Sequence, residues 1–119
     1  MRQVCAHDAV LRMGVHDDEK APGAAITEAL CGSIQHDPPC PLAPHHTTSR
    51  RSGGQVQLRV LFAADPESVA EVRARIDDAL ARGVMDAPNG AQTTWRLQNS
   101  AASAPRPDEE DHGRRLLVS

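Results

Sequence analysis

Two of the three cysteines and three of the six histidines fall between Cys31 and His46. Thiolate and imidazole are the ligands zinc takes in closed tetrahedral sites. Cys31, His36 and Cys40, with His45 or His46, supply a set of four by type. Cys5 and His7 form a further pair, available if the N-terminal segment joins a sheet. Thiolates also admit Cu(I), and imidazoles Ni²⁺ or Cu²⁺. Pro38, Pro39, Pro41 and Pro44 fix φ at four positions and reduce the entropy lost on ordering the segment. The spacing is not that of a common finger, since no C-x-x-C occurs and Pro41 offers no N–H to the sulfur before it. A metal-free reading competes: Cys31 is a small buried hydrophobe and the histidines are exposed loop residues.

Other chemistry is less well supported. A Cys40 nucleophile with His45 or His46 as base would need a lowered pKa and oxyanion donors, and the surrounding prolines offer few. Pro41-Leu42-Ala43-Pro44 is a P-x-x-P that suits polyproline II recognition, so Pro41 and Pro44 are candidate partner contacts. Arg50-Arg51 is a small basic spot for an anion or a partner. Ser52-Gly53-Gly54 precedes a strand, the wrong order for a phosphate cradle, and reads as a hairpin turn.

The elements that must position these residues are clearest downstream. Val56, Leu58, Val60 and Phe62 alternate with polar neighbours, which predicts a strand over 55–63. A helix over 66–82 follows, with Asp65 as N-cap, Pro66 in its first turn and Gly83 as a left-handed C-cap. Its apolar stripe is Val69, Val72, Ile76, Ala79 and Leu80, and Glu71–Arg75 is a favourable i,i+4 pair. Asp86 to Gly90 reads as a turn, and 93–99 as a second strand with Trp95 and Leu97 on one face. Residues 55–99 therefore form a β-α-β unit. Residues 24–31 fit a strand or a short helix equally, because Glu28 falls on the Ile26/Leu30 face of a strand. Residues 9–13 suit an edge strand.

The fold expected is a small two-layer α+β sandwich of three or four strands, with the main helix 66–82 on one face. One domain spans 1–99, with 1–23 loosely ordered and 32–54 a long Cys/His/Pro-rich loop. Residues 100–119 form a linker and a short terminal helix or a disordered tail.

Composition sets the limits. A chain of 119 residues suits one domain. Leu, Ile, Val and Phe make 22 of them, below the roughly 20% associated with disorder, although the low net charge of −3 argues for folding. A thin core would gain from a metal staple. Thirteen basic and sixteen acidic side chains speak against a purely electrostatic nucleic-acid or membrane binder. Phe62 and Trp95 are the only aromatics, too few for a base-stacking platform. No apolar run is long enough to span a bilayer, and residues 1–8 lack a secretory apolar region. The expectation is a reducing cytoplasm. One lysine beside twelve arginines fits a GC-rich bacterial gene.

The function expected from sequence is thus a small cytoplasmic zinc-binding or metal-stabilised protein. It acts through contacts with a protein partner or a second copy, with Leu61 on the exposed sheet face as a dimer surface, and is not an enzyme. The alternatives are a metal-free partner-binding module using the proline-rich loop 38–46, and a thiol- or metal-dependent enzyme.

Overall fold

The computed structural model describes residues 1–31, 43–87 and 90–118. Strand β1 (Gln3–Arg12) leads to helix α1 (Ala21–Cys31), then to the hairpin β2 (His45–Ser52) and β3 (Gln55–Ala64). Helix α2 (Val69–Arg82) follows a short 3₁₀ turn, Pro66–Ser68. A small hairpin, β4 (Val84–Asp86) and β5 (Gln92–Thr94), precedes β6 (Arg96–Ser103) and the terminal helix α3 (Glu110–Leu117). The main sheet has the order β2-β3-β1-β6, antiparallel at every neighbour. Leaving the β4–β5 hairpin aside, β-α-β-β-α-β with this order is the split β-α-β, or ferredoxin-like, arrangement.

The α+β class holds, and the 66–82 helix packs on the sheet as expected. Gly83 takes the left-handed conformation at φ 69°, and a side chain there would strike the Trp95 carbonyl. Asp65 holds the N-cap position, extended and accepting from Ser68 N at 2.8 Å through its carbonyl, but its side chain makes no capping bond. The β-α-β unit also differs from expectation, because β1 lies between β3 and β6 and pairs with both. Residues 3–12 are thus a central strand and not a loosely ordered segment; the strand expected over 9–13 is present, but it is longer and lies inside the sheet. Of its helix-facing residues Cys5, His7, Ala9 and Leu11, His7 is polar, which breaks the apolar pattern on the buried face.

Residues 24–31 are helical. Ile26 and Leu30, four apart, both enter the core, while Glu28 turns away, which removes the conflict a strand would have carried. Residues 45–52 of the expected long loop are strand β2, and the hairpin turn falls at Gly53, φ 61°. In the terminal segment the expected linker begins as the end of an edge strand, 96–103, while the short terminal helix, one of the two forms expected, is α3 and docks on the sheet.

The core lies between the sheet and helices α1 and α2. Phe62, Leu11, Ile26, Leu30, Ile76, Leu80, Val56 and Val60 are its largest fully buried side chains. Trp95 closes one end, donating from Nε1 to the Leu80 carbonyl at 2.9 Å. On the opposite sheet face a smaller cluster of Ala6, Leu61, Ala63 and Leu116 lies under α3. Leu61, expected on an exposed dimer face, is therefore covered.

Candidate functional site

The metal candidates separate. His45 and His46 are consecutive strand residues, so they point to opposite faces of the sheet. His45 faces the α1 side. Its Nδ1 contacts the Ala43 carbonyl at 3.1 Å and Cys31 Sγ at 4.0 Å, and its Nε2 lies 2.9 Å from the Thr27 hydroxyl. Cys31 is disulfide-bonded, whereas Cys5 is a free buried thiol. In that state Cys31 offers no thiolate. His46 instead packs against the ring of His112 on α3, centroids 4.3 Å apart. Partial desolvation, with His112 and Arg115 nearby, lowers its pKa. His36, Cys40 and Pro41 lie outside the described residues. Among the described residues no group of three or more His, Cys, Asp or Glu side chains could hold a metal ion.

Cys5 and His7 share the helix-facing side of β1, but both His7 ring nitrogens are engaged. Arg73 Nη1 lies 3.0 Å from Nδ1 and also donates to the Ala6 carbonyl at 2.7 Å. Arginine only donates, so Nδ1 accepts and Nε2 carries the proton. That proton points to Ser100 Oγ at 2.7 Å, and the Ser100 hydroxyl in turn donates to Asp77. The relay runs Arg73 to His7 to Ser100 to Asp77. A nucleophilic serine needs the reverse, an imidazole lone pair facing its hydroxyl. Burial is the main cause of the lowered pKa of His7, which is 3% exposed. This arrangement ties α2 to β1 and β6 and does not activate Ser100.

The partner-contact candidates also divide. Pro44 is buried, and its carbonyl accepts from Ala63 N at 3.0 Å. Arg51 turns to the helix side and donates to the Gly14 and Asp17 carbonyls, clamping the β1–α1 loop. Arg50 points the other way, to the face opposite α1 and α2.

On that opposite face the register lays out rows across β2, β3, β1 and β6. The first is Ser52, Gln55, Arg12, Arg96, and the second Arg50, Gln57, Val10, Asn99. The third is Thr48, Arg59, Asp8, Ala101, and the fourth His46, Leu61, Ala6, Ser103, which α3 covers. Arg12, Arg50 and Arg96 are exposed, and their side chains make no hydrogen bond or ion pair among the described residues. Arg12 stands directly opposite Arg96, a pairing that destabilises neighbouring strands. A β-bulge between Val10 and Leu11 keeps both arginines on this face while Leu11 and Leu97 face the core.

Arg59 marks the border between the open and covered halves. Its Nε and Nη2 grip both oxygens of Glu109 at 2.8 and 2.7 Å. Nη1 reaches Asp8 at 2.9 Å and Ser103 at 3.2 Å, and Nη2 reaches the Ala104 carbonyl at 2.9 Å. All five donors are used. The guanidinium beside it holds the Glu109 carboxyl down at about 2. Between Arg59, Arg106 and Arg50 lies a shallow cleft of about 570 Å³, floored by Thr48, Gln57 and Val10.

Sequence reasoning found Arg50 and missed Arg12 and Arg96. The signal was available in period two along 3–12, where Asp8, Val10 and Arg12 fall on one face, but only once that segment is read as a strand. No helix among the described residues is long and apolar enough to cross a membrane. No protein-family model, curated protein or solved structure matches the chain.

Proposed function

We propose that this chain is a non-catalytic binding domain that takes an anionic partner on the open half of its sheet. One observation carries the reading: the side chains of Arg12, Arg50 and Arg96 share an exposed face and bond to no acid among the described residues, while Asp8 in the next row is held by Arg59. A sequence under no functional demand has little reason to set two guanidinium groups opposite each other, because the local rule it breaks has a stability cost. The neighbouring Gln55, Gln57 and Asn99 add amide donors. The module reading of the sequence thus moves from the proline-rich loop to the sheet.

The test is a titration of isotopically labelled protein with inorganic phosphate, followed by NMR. Shifts centred on Arg12, Arg50 and Arg96 and on the amides of β1, β2 and β6 support the reading. Shifts spread evenly over the surface remove it.

A second reading keeps zinc, on the 4.0 Å approach of Cys31 Sγ to His45 Nδ1. Reduction of the Cys31 disulfide would place a thiolate beside an imidazole, two of the ligands zinc takes. About one equivalent of zinc per chain in untagged, reduced protein, lost in Cys31→Ser, supports it; a metal-free reduced protein of unchanged stability overturns it. A disulfide at Cys31 suits an oxidising setting better than a reducing cytoplasm.

A further inference from the structure

The chain already shows how this face receives a carboxylate. Glu109, from the acidic run Asp108-Glu109-Glu110-Asp111, is held side-on by Arg59, with both carboxylate oxygens engaged. Arg106, next to that run, borders the cleft that continues from Arg59 toward Arg50. Beyond Arg59 the same face carries Arg50, Arg12 and Arg96, whose donors are unused among the described residues. The bound half and the open half therefore differ in one respect: the first has its acidic segment and the second has none.

Resting on the binding-face reading above, we propose that the occupant of the open half is an acidic peptide segment of another protein. It lies beside α3 and gives carboxylates to Arg50, Arg12 and Arg96 as Glu109 does to Arg59. Charge complementarity supports this choice, since a guanidinium fork matches a carboxylate in the side-on geometry seen at Arg59. The platform spans four strands, roughly 14 Å, which an extended peptide of about five residues covers. Nucleic acid is a poorer fit, because no aromatic side chain stands on this face for a base to stack on. The protein's own surplus of acid elsewhere argues against non-specific attraction: without those three arginines, ten cationic side chains stand against sixteen acids.

The experiment is fluorescence anisotropy of a labelled peptide of alternating glutamate and serine, titrated with the full chain at low salt. Expected is saturable binding that weakens with salt. It should weaken by about tenfold in Arg50→Gln and more in Arg12→Gln/Arg96→Gln. Arg82→Gln, at the far end of α2, should bind as the parent does. A glutamine-for-glutamate peptide should not bind. Amide spectra of each variant confirm that the sheet is intact.

Equal affinity in all variants overturns the proposal, as does tighter, arginine-dependent binding of a single-stranded oligonucleotide. If phosphate maps to the face but the peptide does not bind, the acidic-peptide proposal fails while the anion-binding reading stands. If phosphate maps nowhere in particular, both fail.

Discussion

His7 is the residue whose chemistry is most constrained. Its Nδ1 takes a proton from Arg73 and its Nε2 gives one to Ser100, so the neutral ring satisfies both neighbours. Protonation would bury a cation, a cost that the nearby Asp77 carboxylate offsets only in part and Arg73 adds to. The folded-state pKa therefore lies below the ordinary 6.5, as it does at His46. The unfolded chain then binds protons first as pH falls, and stability from both histidines is complete well above 6.5 and erodes below it. Urea midpoints should drop from pH 7.5 to 5.5, and His7→Gln should flatten that slope while lowering stability at neutral pH. An NMR titration midpoint for His7 at or above 6.5 would show that the relay runs differently. Thr47 makes a second residue-scale case. Its hydroxyl oxygen, under α1, is buried with no hydrogen-bond partner among the described residues. Thr47→Val keeps the shape and removes the orphaned group, so it should raise stability by about 1 kcal/mol in denaturant unfolding. A loss of stability would mean that the hydroxyl is bonded in solution.

At the scale of elements, α3 is held by a clamp and a close approach. The clamp is Arg59–Glu109. The close approach is at Gly113, where an added Cβ would sit 3.0 Å from a Val4 methyl. Glu109→Gln leaves Asp8 as the carboxylate still bound to Arg59 and should cost about 1–2 kcal/mol. Gly113→Val should lift α3 and expose the Leu61/Ala63 patch, read as faster amide exchange in α3 with β1 and β3 still protected. Protection lost equally everywhere would show that α3 is part of the core and not a docked element. Neither contact was legible in sequence. Gly113 reads locally as a weak point in a helix, and its reason is Val4, at the other end of the chain. Arg59 and Glu109 are 50 positions apart. Helix 66–82 and the 55–63 strand were legible because period and punctuation agree along a single segment. Strand β1 was legible only over 9–13, because the buried, satisfied His7 breaks the apolar pattern of its core face. Of the candidate site, Arg50 was visible as half of a dipeptide; alternation then sends its two halves to opposite faces, one structural and one free.

For the whole molecule, charge is distributed by face. A net charge of −3 conceals a sheet surface on which three arginines gather, unpaired among the described residues. That concentration has a thermodynamic signature independent of any ligand. Arg12 and Arg96 repel in the free protein, so removing one relieves the strain: Arg96→Gln should stabilise the fold by a few tenths of a kcal/mol at low ionic strength. Screening weakens repulsion between exposed charges, with a Debye length of about 3 Å in 1 M salt. The advantage of Arg96→Gln should therefore shrink toward nothing as sodium chloride is raised. A residue kept for stability behaves oppositely, with its loss lowering the unfolding midpoint at every salt concentration. Paired denaturation curves of parent and variant at low and high salt decide between the two. A stabilising, salt-erased Arg96→Gln marks the open sheet as a surface held under electrostatic tension, which an arriving carboxylate relieves. A destabilising one places Arg96 among the supports of the β1–β6 pairing and removes the physical ground for a binding face there.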